Sequence, residues 1–342
     1  MDAKITKVRL GRMLSYDWIK IIGFAAAAIV VWVLIFTMTA TRITPAQQFT
    51  VMNYLGNTAL TRGEFGDSYD KAFGGGKGNG IFSYEVLEIN NVDLAANSDA
   101  ASDLLTTRIS TEEGDVVFAA NVKNADTETK NEETGETTYK TYLDQFVYSY
   151  RYTLYNLDPT AEKGYFKQME SYLNEYFNGD WENGALNEEK AFADFRTRVK
   201  GDKRYKKESQ LLQGEQDEKD RLNKYRTALK KFYWYLDEGT VSITTTTVPS
   251  SKEGEADFVG TYAINLCPDT EKMPNLYKLV GYYATQMNEE TGKEESALTA
   301  KDMNVCFFDF DGVEESFEYE NLLYVVYLID SYAATPYPSA NA

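Results

Sequence analysis

The sequence predicts an α/β domain with a helical middle, preceded by one N-terminal transmembrane helix. An apolar run without charge occupies residues 21–40. Strand-like and helix-like periodicities alternate in the first and last thirds of the chain that follows, whereas residues 160–238 repeat apolar side chains at helical spacing. Alternating strands and helices are typical of an α/β sheet.

Residues 21–40 read IIGFAAAAIVVWVLIFTMTA and are long enough to cross a bilayer. A helix of this length extends over about 30 Å, the thickness of the hydrocarbon core. The apolar region of a cleaved signal peptide is shorter, about 7 to 15 residues, so we expect an uncleaved anchor. Basic residues precede the run, at Lys4, Lys7, Arg9, Arg12 and Lys20. The positive-inside rule therefore predicts a cytoplasmic tail at 1–20 and an extracellular domain at 43–342, in a single-pass cell-membrane protein.

Charge and the lack of histidine disfavour several classes of function. Among 342 residues, 35 are basic and 53 are acidic, which gives a net charge of −18. A surface this acidic repels phosphates, so no nucleic-acid partner is expected. Since the chain contains no histidine, neither Ser-His-Asp nor Cys-His catalysis nor a histidine metal site can form. We therefore expect a binding protein without a cofactor rather than an enzyme.

The chain contains two cysteines, Cys267 and Cys306, whose spacing fits no zinc motif. Each belongs to an apolar run, which favours two buried free thiols. One disulfide between neighbouring strands is the alternative, because an extracellular location would allow it. The acidic segment that follows Cys306 has part of the EF-hand spacing, but Phe307 would occupy the first ligand position, so no metal site is expected.

The first third of the domain reads as strand, helix, strand. Residues 81–92 alternate as a strand, and SDAASDLLTTRIS places Leu104, Leu105 and Ile109 on one helical face. After Gly114 the stretch DVVFAA is almost continuously apolar, as in parallel strands covered on both faces. The segment TYLDQFVYSYRYTLYNL matches both the strand and the helix period, and its periodicity does not decide between them.

The middle and the last third complete the pattern. Three amphipathic stretches predict helices between residues 160 and 238. Beyond them, VSITTTTV and FVGTYAINLC flank a polar loop as in a hairpin, and MNVCFFDF reads as a buried strand. MPNLYKLVGYYATQM and FEYENLLYVVYLIDSYAA read as helices, so this part also predicts a parallel sheet.

Three residues are candidate ligand contacts: Asp115, Trp181 and Trp234. Sugar-binding sites stack aromatic rings on the ligand and hydrogen-bond it with acidic and amide side chains. Trp181 fits this chemistry because it lies in the polar loop NGDWENG, and Asp115 begins a strand of the predicted sheet. Trp234 lies beside the apolar stripe of a helix. Packing of both tryptophans onto the core is the alternative interpretation.

The arrangement resembles the extracellular solute-binding proteins, the receptor subunits of ABC importers. The resemblance covers residues 81–120, 258–284 and part of 303–333. In it LLTTRISTEEGDVVF leads from a helix into a second strand, and GTYAINLC is a strand that precedes the helix predicted for MPNLYKLVGYY. It implies periplasmic-binding-protein-like lobes at 45–155 and 240–335, with the helical segment 160–238 between them. It also implies a hinge that closes the lobes on a small ligand, with Asp115 at the cleft.

The sequence therefore predicts a membrane-anchored protein that captures a small ligand, a sugar or a peptide, for a membrane partner, which is a transporter or an envelope protein. The alternative is a structural or interaction ectodomain of a cell-envelope complex that binds no small molecule. A histidine-free hydrolase of envelope polymers is a third hypothesis. A deep cleft lined by aromatic side chains would favour the first, and a filled cleft would favour the second.

Overall fold

The computed structural model describes residues 7–39, 47–54, 81–82, 88–93, 98–124, 127–130, 135, 137–248, 250, 254, 256–287, 294–310 and 319–338. The chain divides into two compact units, residues 1–42 and residues 43–342. The helices are α1 (Lys7–Thr39), α2 (Ser98–Ser110), α3 (Tyr142–Tyr150), α4 (Tyr165–Tyr176), α5 (Glu188–Arg198), α6 (Glu208–Asp237) and α7 (Glu320–Tyr332). The strands are β1 (Gln48–Tyr54), β2 (Glu88–Asp93), β3 (Val116–Ala120), β4 (Thr129–Lys130), β5 (Thr137–Thr138), β6 (Ser242–Val248), β7 (Phe258–Asn265), β8 (Tyr282–Met287), β9 (Glu294–Thr299) and β10 (Met303–Phe307).

The first unit consists of helix α1, which contains the predicted anchor. Its segment Trp18–Thr37 is long and apolar enough to cross a membrane, and none of that segment is buried against protein. Aliphatic and aromatic side chains such as Phe24 and Trp32 are exposed on all sides of the helix. Such a helix suits a lipid environment, because its backbone is satisfied internally and its surface is apolar. The orientation of the helix stays a prediction.

The second unit is built on one six-stranded mixed sheet with the order β2-β1-β3-β10-β7-β6. Strands β2, β1 and β3 are parallel to one another. Strand β10 runs antiparallel to both of its neighbours, β3 and β7, and β6 pairs with β7 as an antiparallel hairpin. Two short antiparallel pairs, β4 with β5 and β8 with β9, lie outside this sheet.

Helices cover both faces of the sheet, so the unit has three layers. Every residue of β3 and of β10 is buried. Val116 and Phe118 belong to one core with helices α4 to α7, whereas Val117 and Ala119 belong to a second core with α2 and α3. The alternation follows from the period of two in a strand. The prediction that DVVFAA is covered on both faces is therefore confirmed.

Local sequence signals predicted most helices and strands of this unit. The strand–helix–strand prediction in the first third is confirmed by β2, α2 and β3, with β1 between the two strands in the sheet. The helical middle is confirmed by α4, α5 and α6, the hairpin by β6 and β7, and the last helix by α7.

The ambiguous tyrosine-rich segment begins as helix α3, because a capping box fixes its first turn. Thr141 Oγ1 accepts a hydrogen bond from the Asp144 amide at 3.0 Å, and Asp144 Oδ2 accepts one from the Thr141 amide at 3.1 Å. Such a box satisfies two amides that a helix start leaves without partners. The structure thus decides for a helix where periodicity left the question open.

The helix predicted for residues 273–287 is wrong. One 3₁₀ turn, Leu276–Lys278, is followed by strand β8. Between them a Cβ on Gly281 would lie 3.0 Å from the Thr299 carbonyl and 3.1 Å from the Tyr277 carbonyl. Glycine permits this close approach to β9, and the β-branched and aromatic residues after it suit a strand.

The parallel arrangement predicted for the last third is also wrong. The described residues between β7 and β10 contain no crossover helix, and β8 pairs with β9 before β10 runs antiparallel to β7. Parallel neighbours need a long crossover connection, which a helix normally supplies. The mixed α/β class is confirmed, whereas the two predicted lobes are not confirmed, because strands from 45–155 and 240–335 share one sheet.

Both cysteines are free and buried, so the free-thiol interpretation is confirmed and the disulfide alternative is wrong. Cys267 belongs to the core of α4 to α7, whereas Cys306 belongs to the core of α2 and α3. The sheet therefore lies between the two core clusters that contain them. Burial raises the pKa of the Cys267 thiol to about 11 and that of Cys306 further, which keeps both thiols protonated and unreactive at neutral pH.

Candidate functional site

Asp115 lies at the amino end of β3, where it extends the pairing between β1 and β10. Its amide donates to the Thr50 carbonyl at 3.0 Å, and its carbonyl accepts from the Phe308 amide at 2.9 Å. The Thr50 amide donates to Asp115 Oδ2 at 2.6 Å. Gly114 positions this residue, because it has φ +138° and a Cβ there would lie 2.8 Å from Met52 Cε. Only glycine adopts this conformation without strain.

Asp115 does not lie at the end of the sheet where ligands of α/β proteins usually bind. Ligands of open α/β sheets bind at the carboxyl ends of parallel strands, and Asp115 lies at the opposite end of β3. Burial raises the pKa of Asp115 to about 7, the Thr50 hydrogen bond acts against this rise, and the Glu320 carboxylate adds to it. One carboxylate oxygen is already used by a backbone amide. Ligand binding by Asp115 stays a prediction.

Trp181 packs onto helix α6, and Trp234, a residue of α6, packs onto the C-terminal segment. Trp181 is partly buried, its amide donates a 2.8 Å hydrogen bond to Asn174 Oδ1, and its ring lies 6.2 Å from the Tyr233 ring. The ring of Trp234 lies 4.9 Å from that of Tyr235 and 5.5 Å from that of Tyr337. Both rings thus contact the core and its tyrosines. No contact among the described residues joins Asp115, Trp181 and Trp234 into one site.

A buried ion network links α4, α5, α6 and α7, and the sequence interpretation missed it. Arg221 donates to both carboxylate oxygens of Glu218, at 2.9 Å and 2.5 Å. Arg198 Nη2 on α5 donates to Glu218 Oε2 at 2.7 Å. From Arg221 the network continues to the Tyr172 hydroxyl at 2.9 Å. The Tyr225 hydroxyl in turn donates to Glu320 Oε1 at 2.7 Å.

The network centres on one carboxylate held by two guanidinium groups. Arg198 and Arg221 both donate to Glu218, and Glu320 is joined to them through the Tyr225 hydroxyl. Burial raises the pKa of Glu218, but the guanidinium groups of Arg221 and Arg198 outweigh it and lower that pKa to about 2. A carboxylate that stays ionised this firmly suits a structural clamp better than proton transfer, which needs a pKa near the working pH. The arrangement therefore suits a structural role, in which it fixes these helices to one another.

A sequence signal for this network was present in α6. Glu218, Arg221 and Tyr225 occupy positions of the apolar stripe that also contains Leu222 and Leu229. A Glu and an Arg three residues apart on a core-facing stripe must be paired with each other, since unpaired buried charges are strongly destabilising. Their further partners on α5 and α7 lie far away in the sequence, and only the fold brings them close.

An open groove between α6 and α7 is a concavity large enough for a small ligand. It has a volume of about 490 Å³, within the range of small-molecule sites, about 300 to 1,000 Å³. Both lysines of the groove already contact other protein groups. Lys224 donates to the Phe82 carbonyl at 3.0 Å, and Lys231 pairs with Asp330 at 2.5 Å. Its lining residues are Ile81, Asp220, Asn223, Lys224, Thr227, Ala228, Lys231, Leu323, Val326, Tyr327 and Asp330.

Within the described residues, no group of three or more Cys, Asp and Glu side chains is placed to hold a metal ion. The acidic segment 311–318, which completes the EF-hand-like spacing, lies outside those residues. No family model, no curated protein and no solved structure matches this chain. The resemblance to solute-binding proteins therefore stays a prediction, and function has to be inferred from the geometry of the chain itself.

Replacement of Glu218 by Gln tests the buried ion network. The variant leaves two guanidinium groups without their shared carboxylate, so the free energy of unfolding should fall by about 3–5 kcal/mol. Urea denaturation of the full chain, followed by tryptophan fluorescence, measures this change. Glu189→Gln is the matched control on the exposed side of α5, with an expected change within about 0.5 kcal/mol. Equal effects of the two variants would contradict the clamp.

The raised pKa of Asp115 predicts a pH dependence of stability. Its folded pKa is about 7 and its unfolded pKa is about 3.9, so between these values the folded state binds more protons. Its contribution to stability is therefore lost as the pH rises from about 4 to about 7. Asp115→Asn keeps an acceptor for the Thr50 amide and removes the titration. Its stability relative to the parent chain should increase from pH 4 to pH 8.

Urea denaturation at a series of pH values measures the Asp115→Asn effect. Asp237→Asn, at the exposed end of α6, is the control whose profile should parallel that of the parent chain. An Asp115→Asn profile that also runs parallel to the parent would show that the pKa of Asp115 does not change on folding, which is incompatible with a pKa raised by burial.

Proposed function

We propose that the chain is a membrane-anchored interaction ectodomain of a cell envelope, a domain that works by contact with a macromolecular partner. The continuous sheet is the observation that carries this proposal. Strand β3 from the first half pairs with β10 from the second half along their whole length. A hinge protein closes by moving two bodies about a few connecting residues, and pairing of this kind leaves no boundary for that motion in the sheet.

The aromatic side chains support the same proposal. The rings expected to form a ligand platform, Trp181 and Trp234, pack onto the tyrosines of α6 and of the C-terminal segment. The space between the sheet and helices α4 to α7 is filled by a core that includes Phe118, Phe166 and Phe232. A filled interior of this kind leaves binding to the outer surface of the unit.

Small-ligand capture is the second candidate function, and the groove between α6 and α7 favours it. Apolar side chains of Ala228, Leu323 and Val326 line it together with the polar Asn223 and Tyr327. An apolar surface with a few polar groups is the usual composition of a ligand site. This alternative keeps the transporter partner implied by the solute-binding resemblance, with the groove in place of an interlobe cleft.

Location outside the cytoplasm is tested by protease accessibility. Whole cells that express the full chain with a C-terminal epitope tag are treated with an added protease that does not enter them. The proposed orientation predicts loss of the tag from intact cells, because residues 43–342 would face outwards. An N-terminal tag on the same chain is the control and should survive until the cells are lysed. Protection of the C-terminal tag in intact cells would contradict the proposal.

Thermal melts of the full chain in neutral-lipid nanodiscs distinguish the two candidate functions. The panel contains neutral sugars, neutral oligosaccharides, peptides and calcium. A ligand at 100 times its dissociation constant stabilises by about 2.7 kcal/mol, a shift of a few degrees for a domain of this size. The interaction ectodomain predicts no such shift with any member. A shift that Thr227→Trp abolishes, by filling the groove, would instead establish small-ligand capture.

A further inference from the structure

Three cations lie over tyrosine and phenylalanine rings on one surface beside α3. We call this the aromatic–cation surface, and it consists of Lys123, Tyr139, Lys140, Tyr148, Arg151, Tyr152 and Phe258. Lys123 Nζ lies 5.4 Å from the centre of the Tyr139 ring, and Lys140 Nζ lies 5.3 Å from that of Tyr148. The bridge between Lys123 and Thr141 holds the two lysine-bearing segments side by side.

Arg151 is the centre of this surface. Its guanidinium carbon lies 4.2 Å from the centre of the Tyr152 ring, 4.8 Å from that of Phe258 and 5.3 Å from that of Tyr148. Its Nη2 also donates to the Tyr152 hydroxyl at 2.5 Å, and its Nη1 donates to the Tyr148 carbonyl at 2.6 Å. These contacts hold Tyr152 in place although its side chain is 82% exposed.

An exposed ring held in this way is prepared for binding. Ordering a mobile side chain normally reduces the affinity of an interface, and a ring that is already fixed avoids that loss. Tyr148 and Tyr139, at 43% and 37% exposure, extend the exposed aromatic surface on either side. Tyrosines that face solvent with a polar tip are typical of binding surfaces rather than of cores.

The cations of this surface form no ion pair with a carboxylate in the described part of the chain. Elsewhere the described cations often do, as Lys190 does with Asp194 at 2.7 Å and Lys219 does with Glu188 at 2.5 Å. In a chain of net charge −18, Lys123, Lys140 and Arg151 thus bring three cations to this surface. The acidic Glu128 lies beside them and hydrogen-bonds to the Tyr139 side chain. Salt screens charges beyond about 8 Å at physiological ionic strength. A ligand at this surface therefore interacts mainly with these nearby charges, although the chain as a whole is acidic.

The chemistry of the surface defines the ligand that suits it. Lysine and arginine side chains only donate hydrogen bonds, and carboxylate or phosphate oxygens are their best acceptors. The Tyr152 ring, which is 82% exposed, offers an apolar surface that suits the flat C–H face of a sugar ring. A protein partner suits this surface less well. The residues that contribute most to protein–protein binding lie in closed and desolvated pockets, whereas Tyr152 is open to solvent.

We propose that the aromatic–cation surface binds an anionic polysaccharide, whose sugar rings stack on Tyr152 while its acidic groups pair with Lys123 and Lys140. This inference rests on the proposed interaction function, and it names the class of partner. Arg151 acts as a positioning residue that holds the tyrosine rings.

Binding of the full chain in neutral-lipid nanodiscs to immobilised polygalacturonate tests this proposal by interferometry. Binding should be saturable and should weaken as NaCl is raised from 50 to 500 mM, values chosen to span about threefold in the Debye length. The triple variant Lys123→Gln/Lys140→Gln/Tyr152→Ala should bind about tenfold more weakly, since each exposed contact contributes modestly. The control triple variant Lys163→Gln/Lys200→Gln/Tyr283→Ala changes residues outside the surface and should bind as the parent does.

Several outcomes would overturn the proposal. No binding to polygalacturonate would do so, as would equal binding of the two triple variants. An affinity for polyglutamate equal to that for polygalacturonate would show that the surface recognises charge alone or binds acidic protein segments. An equal affinity for neutral dextran would show that the charges have no role in binding. These failures leave the interaction ectodomain itself standing, because protease accessibility and the ligand panel test it separately. Thermal melts of each variant establish that it remains folded.

Discussion

The antiparallel pairing of β3 with β10 is the constraint on which the rest of the folded unit depends. It joins Val116–Ala120 to Met303–Phe307, segments that are distant in sequence. Both strands are buried throughout, and both face helices on each side. Such a non-local pairing loses loop-closure entropy before it gains contacts, so it is stable only when the flanking layers pack at the same time. It also joins the two halves of the chain in one sheet.

The buried ion network joins the helices of the middle segment to the same folded body. Glu218 lies between Arg221 on its own helix and Arg198 on α5, while Tyr225 reaches Glu320 on α7. A buried carboxylate between two guanidinium groups tolerates little displacement, because its hydrogen bonds compensate for the loss of hydration. The helical middle is thus fixed to the helix that packs on the sheet, which makes it part of the same body and not an independent spacer between lobes.

Local periodicity predicted what local forces determine, namely the helices of the middle and the burial of β3. The direction of β10 was not predictable in this way, because it depends on the connection from β7, where Gly281 and its carbonyl neighbours break the expected helix. Helix α3 depends on the Thr141 capping box, which an apolar period does not reveal. The polar positions within the stripe of α6 were visible, but their partners meet them only through the tertiary fold. For the same reason, the packing of Trp181 and Trp234 on tyrosines stayed one of two alternatives.

One sheet and its packed helices make the described part of residues 43–342 a single body. We therefore place contact with a partner on its exposed aromatic–cation surface. Native-state hydrogen exchange of the full chain, read by mass spectrometry, tests the claim most directly. Peptides that cover β1, β3, β7 and β10 should exchange with one common free energy, equal to that of global unfolding. If β1 and β3 exchange through an opening of lower free energy than the one that exposes β7 and β10, the claim is contradicted. The two halves of the chain would then open as separate bodies.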